Sequence, residues 1–199
     1  MKLKNSSGEK TETRIIRIAT ELFARQGYQQ TSISEISKQA GLSEASIYEY
    51  FQSKEDLLHH IPAAWIDDTV QELEEQLFGV EGSFNKLRKF LWWYIRIIEK
   101  NPMTAAIVFL FLKTNRNFMN TEVYLRVRTF YGNLLEIFKQ GINSGEMKPD
   151  LNPYVARSIF LGTIEHITIR WILKDRSYSL FDHLEHTFGI FVDAFKKNA

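Results

Sequence analysis

The 199-residue chain reads as an all-α protein. Three observations predict this. Apolar residues recur at three- and four-residue steps along every long segment, no segment alternates apolar and polar residues as a half-buried strand would, and a capping residue or a Gly/Pro break stands where each periodic run stops.

The first informative stretch is Thr31 to Lys54, TSISEISKQAGLSEASIYEYFQSK. Ser32 with Glu35 three residues later is a capping-box pattern, so a short helix starts at Ile33 and ends near Ala40. Gly41 suits the left-handed conformation that closes a helix, Leu42 offers an apolar plug under the corner, and Ser43 caps the next helix. Ile33, Ile36, Ala40, Leu42 and Ile47 form the apolar side, which leaves Ser34, Glu44, Ala45, Ser46, Tyr48 and Tyr50 to face outward or toward a groove. Two short helices around a tight corner, followed by a third helix capped by Ser53, are the plan of a helix-turn-helix DNA reader.

Beyond it, residues 54–77 link to the rest of the chain, and Pro62 removes a helical N–H and is expected to kink or restart that helix. Gly79, Gly82 and Ser83 mark a loop, and a helix over 84–100 carries Leu87, Leu91, Ile95 and Ile98 at helical spacing. Asn101-Pro102 pairs an N-cap with a first-turn proline and opens an apolar helix over 102–113. A polar break at Thr114 to Asn117 precedes a helix of about 120–143, ended by Ser144-Gly145 and Met147-Lys148-Pro149. Asn152-Pro153 starts another, to about Lys174, and Ser179 with Asp182 starts the last, to about Lys196. The expected division is a DNA-binding domain over 1–56, with a flexible arm over 1–10, and an effector-binding and dimerisation domain over 57–199.

The N-terminal part, from about Arg14 to Leu58, resembles the DNA-binding domain of the TetR/AcrR family of transcriptional regulators. The resemblance runs through Arg14-Ile15-Ile16-Arg17-Ile18-Ala19-Thr20-Glu21-Leu22-Phe23, Gln26-Gly27-Tyr28 with Thr31-Ser32, Gly41-Leu42-Ser43, Ser46-Ile47-Tyr48-Glu49-Tyr50-Phe51 and Ser53-Lys54-Glu55-Asp56-Leu57-Leu58. It implies phosphate contacts by Ser34, Ser46, Tyr48, Tyr50 and Lys54, and base-edge readout by Glu44 and Ala45, with Tyr48 open to either role. Glu44 either accepts from a cytosine amino group or points away from the phosphates. Glu49 also departs from the family pattern.

Charge supports a modest version of this reading. Over residues 1–60, eight Lys and Arg are matched by eight Asp and Glu, so any basic footprint must come from clustering. Residues 1–17 hold Lys2, Lys4, Lys10, Arg14 and Arg17 against Glu9 and Glu12, which makes the arm a candidate for extra phosphate or minor-groove contacts or else a solvated tail.

Composition sets the frame: 44% hydrophobic and 14% aromatic content is that of a globular protein, and the absence of cysteine excludes disulfides and thiolate metal sites. The chain is expected to be cytoplasmic, with no signal-peptide pattern at its polar start. Its longest nearly apolar run, the ten residues Met103 to Leu112, falls well short of the roughly 20 a membrane span needs.

In the last helix, Phe181, Leu184, Phe188, Phe191 and Phe195 form an aromatic seam. Val155, Ile159, Gly162 and His166 line one face of the preceding helix, and Phe160, Ile164, Ile167 and Trp171 line an adjacent one. Two apolar faces suggest two neighbours, either within one subunit or across a two-fold dimer. The family resemblance implies a homodimer joined by a four-helix bundle, matched to a palindromic operator. Its expected interface is Val155, Ile159, Gly162, His166, Leu184, Phe188, Phe191 and Phe195.

Trp92, Trp93, Phe109, Phe111, Phe118, Tyr124, Phe130, Tyr131, Ile164 and Trp171 suffice to enclose a ligand cavity between helices or to form an ordinary core, with Trp92, Trp93 and Phe109 as the leading candidate contacts. Lys113, Arg116, Arg126 and Arg128 face only Glu122 over 113–128 and suit a phosphate-bearing head group, with His166 and Arg170 as further candidate contacts. Arg126 and Arg128, two apart, do not share a helix face. The segments Phe111 to Phe118, Gly141 to Glu146 and Gly162 to His166 resemble acyl-CoA-responsive members of the family. That resemblance implies a tunnel for the acyl chain, cations for the coenzyme A phosphates, and release of DNA through the linker helix. A lipophilic drug or aromatic effector is the alternative.

Other functional classes lack residues to run them. His183 and His186 with Asp182 and Glu185, His59-His60, and Glu165-His166 are isolated, and no His-Glu-x-x-His or Gly-x-Ser-x-Gly pattern occurs. No catalytic residue, metal or cofactor is therefore expected. A helical scaffold without DNA binding is the remaining alternative, permitted by Glu44 and Glu49.

Overall fold

A computed structural model describes residues 9–197, with backbone only at 64, 65, 67 and 68. Helices α1 (Thr11–Gln26), α2 (Ile33–Ala40) and α3 (Glu44–Tyr48) turn Ile15, Ile18, Leu22, Phe23, Ile33, Ile36 and Ile47 inward onto one core. The local signals act as read: Ser32 accepts from Glu35 N, Ser43 from Ser46 N and Ser53 from Asp56 N, and Gly41 is left-handed at φ 66. The capping box at α2 is only half closed, because the Glu35 carboxylate accepts from Gln26 Nε2 at 2.7 Å and so staples α1 to α2.

Helix α4 (Lys54–Leu77) then runs unbroken through Pro62, contrary to the expected restart. Its first turns bury Leu57, Leu58 and Ile61 in the small core and its later turns bury Ile66 and Leu73 in a larger one, so packing at both ends outweighs one missing hydrogen bond. The larger core is built by α5 (Ser83–Lys100), α7 (Glu122–Asn143), α8 (Pro153–Leu173) and α9 (Leu184–Phe195). Between α5 and α7 lie α6 (Pro102–Ile107), a π-helical turn (Val108–Leu112) and a 3₁₀ turn (Asn117–Asn120). Ile107, Leu112 and Phe118 of this connection pack into the small core, which therefore extends beyond the first three helices. Among the described residues the only strand-like pairing is one isolated antiparallel bridge, Met147 to Lys196.

Three further expectations are corrected. The Asn101 side chain does not cap α6; it donates to Ile97 O at 3.0 Å and closes α5, while Pro102 takes the first helical position. The apolar run 102–113 is α-helical only to Ile107 before widening into the π turn. Helix α9 begins at Leu184, not Ser179, because Glu99 on α5 captures Leu180 N at 2.8 Å and Ser179 Oγ at 3.2 Å. The Trp171 indole holds Tyr178 O at 2.8 Å, which fixes the same turn from α8.

The aromatic seam of α9 belongs to the subunit's own core. Leu184, Phe188, Phe191 and Phe195 are all buried, with Phe191 on Phe160 at 5.0 Å between ring centroids, Phe195 on Phe138 at 5.9 Å and Phe188 on Trp92 at 6.1 Å. These four therefore offer no surface to a partner. The outward face of α8 is different: Tyr154, Val155 and Ile159 are exposed, with Gly162 and His166 beside them and Ile190 exposed on α9.

Candidate nucleic-acid interface and effector cavity

Helix α3 stands outside the small core on a single buried anchor, Ile47, so its other side chains face solvent. Tyr48 is 53% and Tyr50 45% exposed, and Ser34, Glu44, Ala45 and Glu49 are exposed with them. Ser46 is half-buried, its hydroxyl 2.9 Å from that of the capping Ser43. Glu44 stands in the first turn of α3, where a carboxylate complements the helix dipole. Lys54 faces inward: its ammonium donates to Tyr28 O at 3.0 Å and Thr31 O at 2.9 Å and lies 4.4 Å from the Tyr28 ring centre. Its first task is to clamp the α1–α2 corner to α4.

Residues 1–8 of the candidate arm lie outside the described residues. Of the arm-side cations that are described, Arg17 is occupied by Glu9 and Glu21, each at 3.2 Å. The hydrogen bond from Arg17 holds the Glu9 carboxyl below its usual range.

A cavity of about 720 Å³ opens between α4, the π turn, α7 and α8. Ile66, Val108, Leu112, Phe118, Phe130 and Leu135 supply apolar wall, and Lys113, Arg128, Arg157, Tyr94, Tyr131 and Glu165 supply polar groups to the lining. Lys113 is ion-paired with Glu165, lies 4.9 Å from the Phe109 ring centre and has a side chain only 22% exposed. Burial pulls its pKa down, but Tyr131 and Glu165 together outweigh this and leave it above the ordinary lysine value. Tyr94, fully enclosed and 3.4 Å from the Tyr131 hydroxyl, is pushed well above the ordinary tyrosine value, chiefly by burial.

Residues 15–61 match the family model described as bacterial regulatory proteins, tetR family, and residues 64–194 match that of the YsiA-like protein C-terminal region. The chain belongs to the TetR family. This TetR-family regulator is 28% identical over 166 residues to the fatty acid metabolism regulator protein of Bacillus subtilis, covering 83% of this chain and 86% of that one. It superposes on the crystal structure of the transcriptional regulator FadR from Bacillus subtilis in complex with stearoyl-CoA with a TM-score of 0.81 and 27% identity, over 90% of this chain and 96% of that one. The fatty acid degradation regulator FadR from Bacillus halodurans shares the fold, with a TM-score of 0.82 at 22% identity, over 95% and 97% of the two chains. The protein is thus a DNA-binding transcriptional regulator and not an enzyme.

Within this TetR-family fold the candidate effector residues separate. Lys113 and Arg128 line the cavity, as do Phe118, Tyr124, Phe130 and Tyr131 of the candidate aromatic walls. Trp92 instead packs beneath the Arg88 guanidinium at 4.7 Å, Trp93 stacks in the core with Tyr94, and Phe109 lies beneath the Lys113 ammonium, all three outside the lining. Arg116, Arg126 and His166 are exposed away from it, and Arg170 borders a separate groove of about 360 Å³ with Tyr178 and His183.

Arg157, Tyr94, Asn115 and Gly132 line the cavity without having been singled out from the sequence. Arg157, Leu161 and Glu165, at four-residue steps in an otherwise apolar helix, were the available sign. Among the described residues no three His, Asp or Glu gather as metal ligands, and no helix is long and apolar enough to cross a membrane.

Proposed function

We propose that the chain is a homodimeric repressor that reads a palindromic operator through α3 and releases it when a long-chain acyl-CoA enters the cavity. In this reading residues 1–56 bind DNA and residues 57–199 sense the effector and dimerise. The observation that carries the effector class is the cavity itself. Its volume of about 720 Å³ lies within the roughly 300–1,000 Å³ of ligand sites, its walls are mostly apolar, and the cations Lys113, Arg128 and Arg157 are part of its lining. An amphipathic ligand with an acyl chain and an anionic head matches that polarity, and the similarity to a relative crystallised with stearoyl-CoA supports the same class.

The exposed α8 face of Val155, Ile159, Gly162 and His166, continued by Tyr154 and by Ile190 of α9, supports a two-fold contact. Ser34, Glu44, Ala45, Tyr48 and Tyr50 are free to meet DNA, and Ser46 backs them from within the cap.

The test is fluorescence anisotropy on a duplex selected from a random library by the protein itself. Stearoyl-CoA is expected to release the duplex, with coenzyme A alone inactive. Retention of DNA at saturating stearoyl-CoA would sink the effector assignment, and a monomer in native mass spectrometry would sink the palindromic operator.

A further inference from the structure

We propose that Glu55, Asn115 and Asn117 form a bracket that carries the state of the cavity to the DNA-reading helices. This deepens the effector reading and rests on the cavity being the effector site.

The first turn of α4 holds two consecutive residues that bond to different elements. Lys54 is fastened to the α1–α2 corner through Tyr28 O and Thr31 O. Glu55 Oε1 accepts from Asn115 Nδ2 and from Asn117 Nδ2, each at 3.0 Å, across the gap to the connection between α6 and α7. A carboxylate only accepts, so both amides must present their nitrogens to it. Asn115 Oδ1 meanwhile accepts from Asn117 N at 2.8 Å, which ties the two amides into one unit.

That unit is also part of the cavity. Asn115 and Phe118 line it, and Phe118 is at the same time buried in the small core with the His59 ring of α4 at 5.8 Å. His59 Nε2 is buried there without a partner, so this contact holds α4 by packing alone and leaves the directional hold to Glu55. Immediately upstream stands the π turn Val108–Leu112, whose wide turn admits an alternative α-helical register. A change there moves Lys113 to Phe118 as a group. A ligand pressing on Leu112, Asn115 and Phe118 therefore displaces the bracket. Because Lys54 and Glu55 share a peptide bond, the displacement reaches the corner against which α3 is set. The bracket, formed or broken, is the two-state element that such coupling requires.

The experiment measures duplex affinity of the full chain with and without stearoyl-CoA, for the parent and for Asn115→Ala/Asn117→Ala, with stearoyl-CoA binding followed by calorimetry. A second probe, Gly132→Phe, fills the cavity without an effector, since a side chain at Gly132 meets nothing within 4 Å at its Cβ. Each probe is expected to weaken duplex binding by on the order of tenfold or more in the parent and by less than about threefold without the bracket, with stearoyl-CoA still bound. Glu55→Gln keeps an acceptor oxygen and should retain the coupling, whereas Glu55→Ala should lose it even if the double variant folds poorly.

Equal weakening with and without the bracket would overturn the proposal, as would a parent that responds to neither probe. A parent indifferent to stearoyl-CoA but responsive to Gly132→Phe only with its bracket intact would remove the effector assignment and uphold the bracket.

Discussion

The DNA-reading end and the effector bundle are stabilised in different ways. In the first, short helices are closed by Ser32, Ser43, Ser53 and Gly41, Gln26 staples α1 to α2, and Lys54 clamps the corner. In the second, long helices enclose a cavity and one connection adopts a π turn. The first region is built to keep one shape, as a reader of fixed groove geometry must. The second encloses empty volume between its helices, as a ligand site requires.

The largest contrast should come from truncation. Phe51→Ala in the small core, at 1% exposure, is expected to cost about 3–5 kcal/mol in urea denaturation. Val127→Ala, half-buried on the cavity wall, should cost about 1 kcal/mol. Similar costs at the two positions would erase the distinction. A functional contrast follows. Tyr48→Ala should leave the melting temperature unchanged, because the ring is largely exposed, and weaken duplex binding by roughly tenfold, about 1.4 kcal/mol; parental affinity would remove Tyr48 from the interface.

Ser43→Ala tests the rigid side more gently. Losing the cap of α3 should cost about 1 kcal/mol and weaken DNA binding without altering stearoyl-CoA affinity. The smallest effect concerns pH at the junction. The Asn115 and then the Asn117 hydrogen bond hold the Glu55 carboxyl below its ordinary value of 4.5. The bracket's contribution is therefore fully present above that value and lost as pH falls through the lowered one. Melting curves from pH 6 down to pH 3 should show a slightly steeper acid loss for the parent than for Glu55→Gln, and parallel profiles would deny the bracket any stabilising role. Lys113 carries the opposite sign: its raised pKa makes its contribution complete below the ordinary lysine range and lost as pH rises through the higher value.

The two regions also differed in how far they were legible before folding. Gly41, Ser43 and Ile47 act on neighbours within a few residues, so spacing alone placed α2 and α3 and turned Tyr48 and Tyr50 outward. The α8 face of Val155 and Ile159 was legible for the same reason, since helical periodicity groups residues whichever neighbour they meet. The α9 seam shows where that reasoning stops: periodicity marked Phe188, Phe191 and Phe195 as one face but did not say whether α5, α7 and α8 or a second subunit would cover it.

What the sequence determined by itself was the all-α class and the helix-turn-helix plan, because these rest on short-range caps, turns and periodic faces. Tertiary structure decided the unbroken passage of α4 through Pro62, the late start of α9 under Glu99, the inward clamp of Lys54 and the meeting of Glu55 with Asn115 and Asn117. Each joins residues that lie on separate elements or depends on packing at both ends of one helix. Chain spacing carries no record of such distances; only packing brings those atoms within hydrogen-bonding reach.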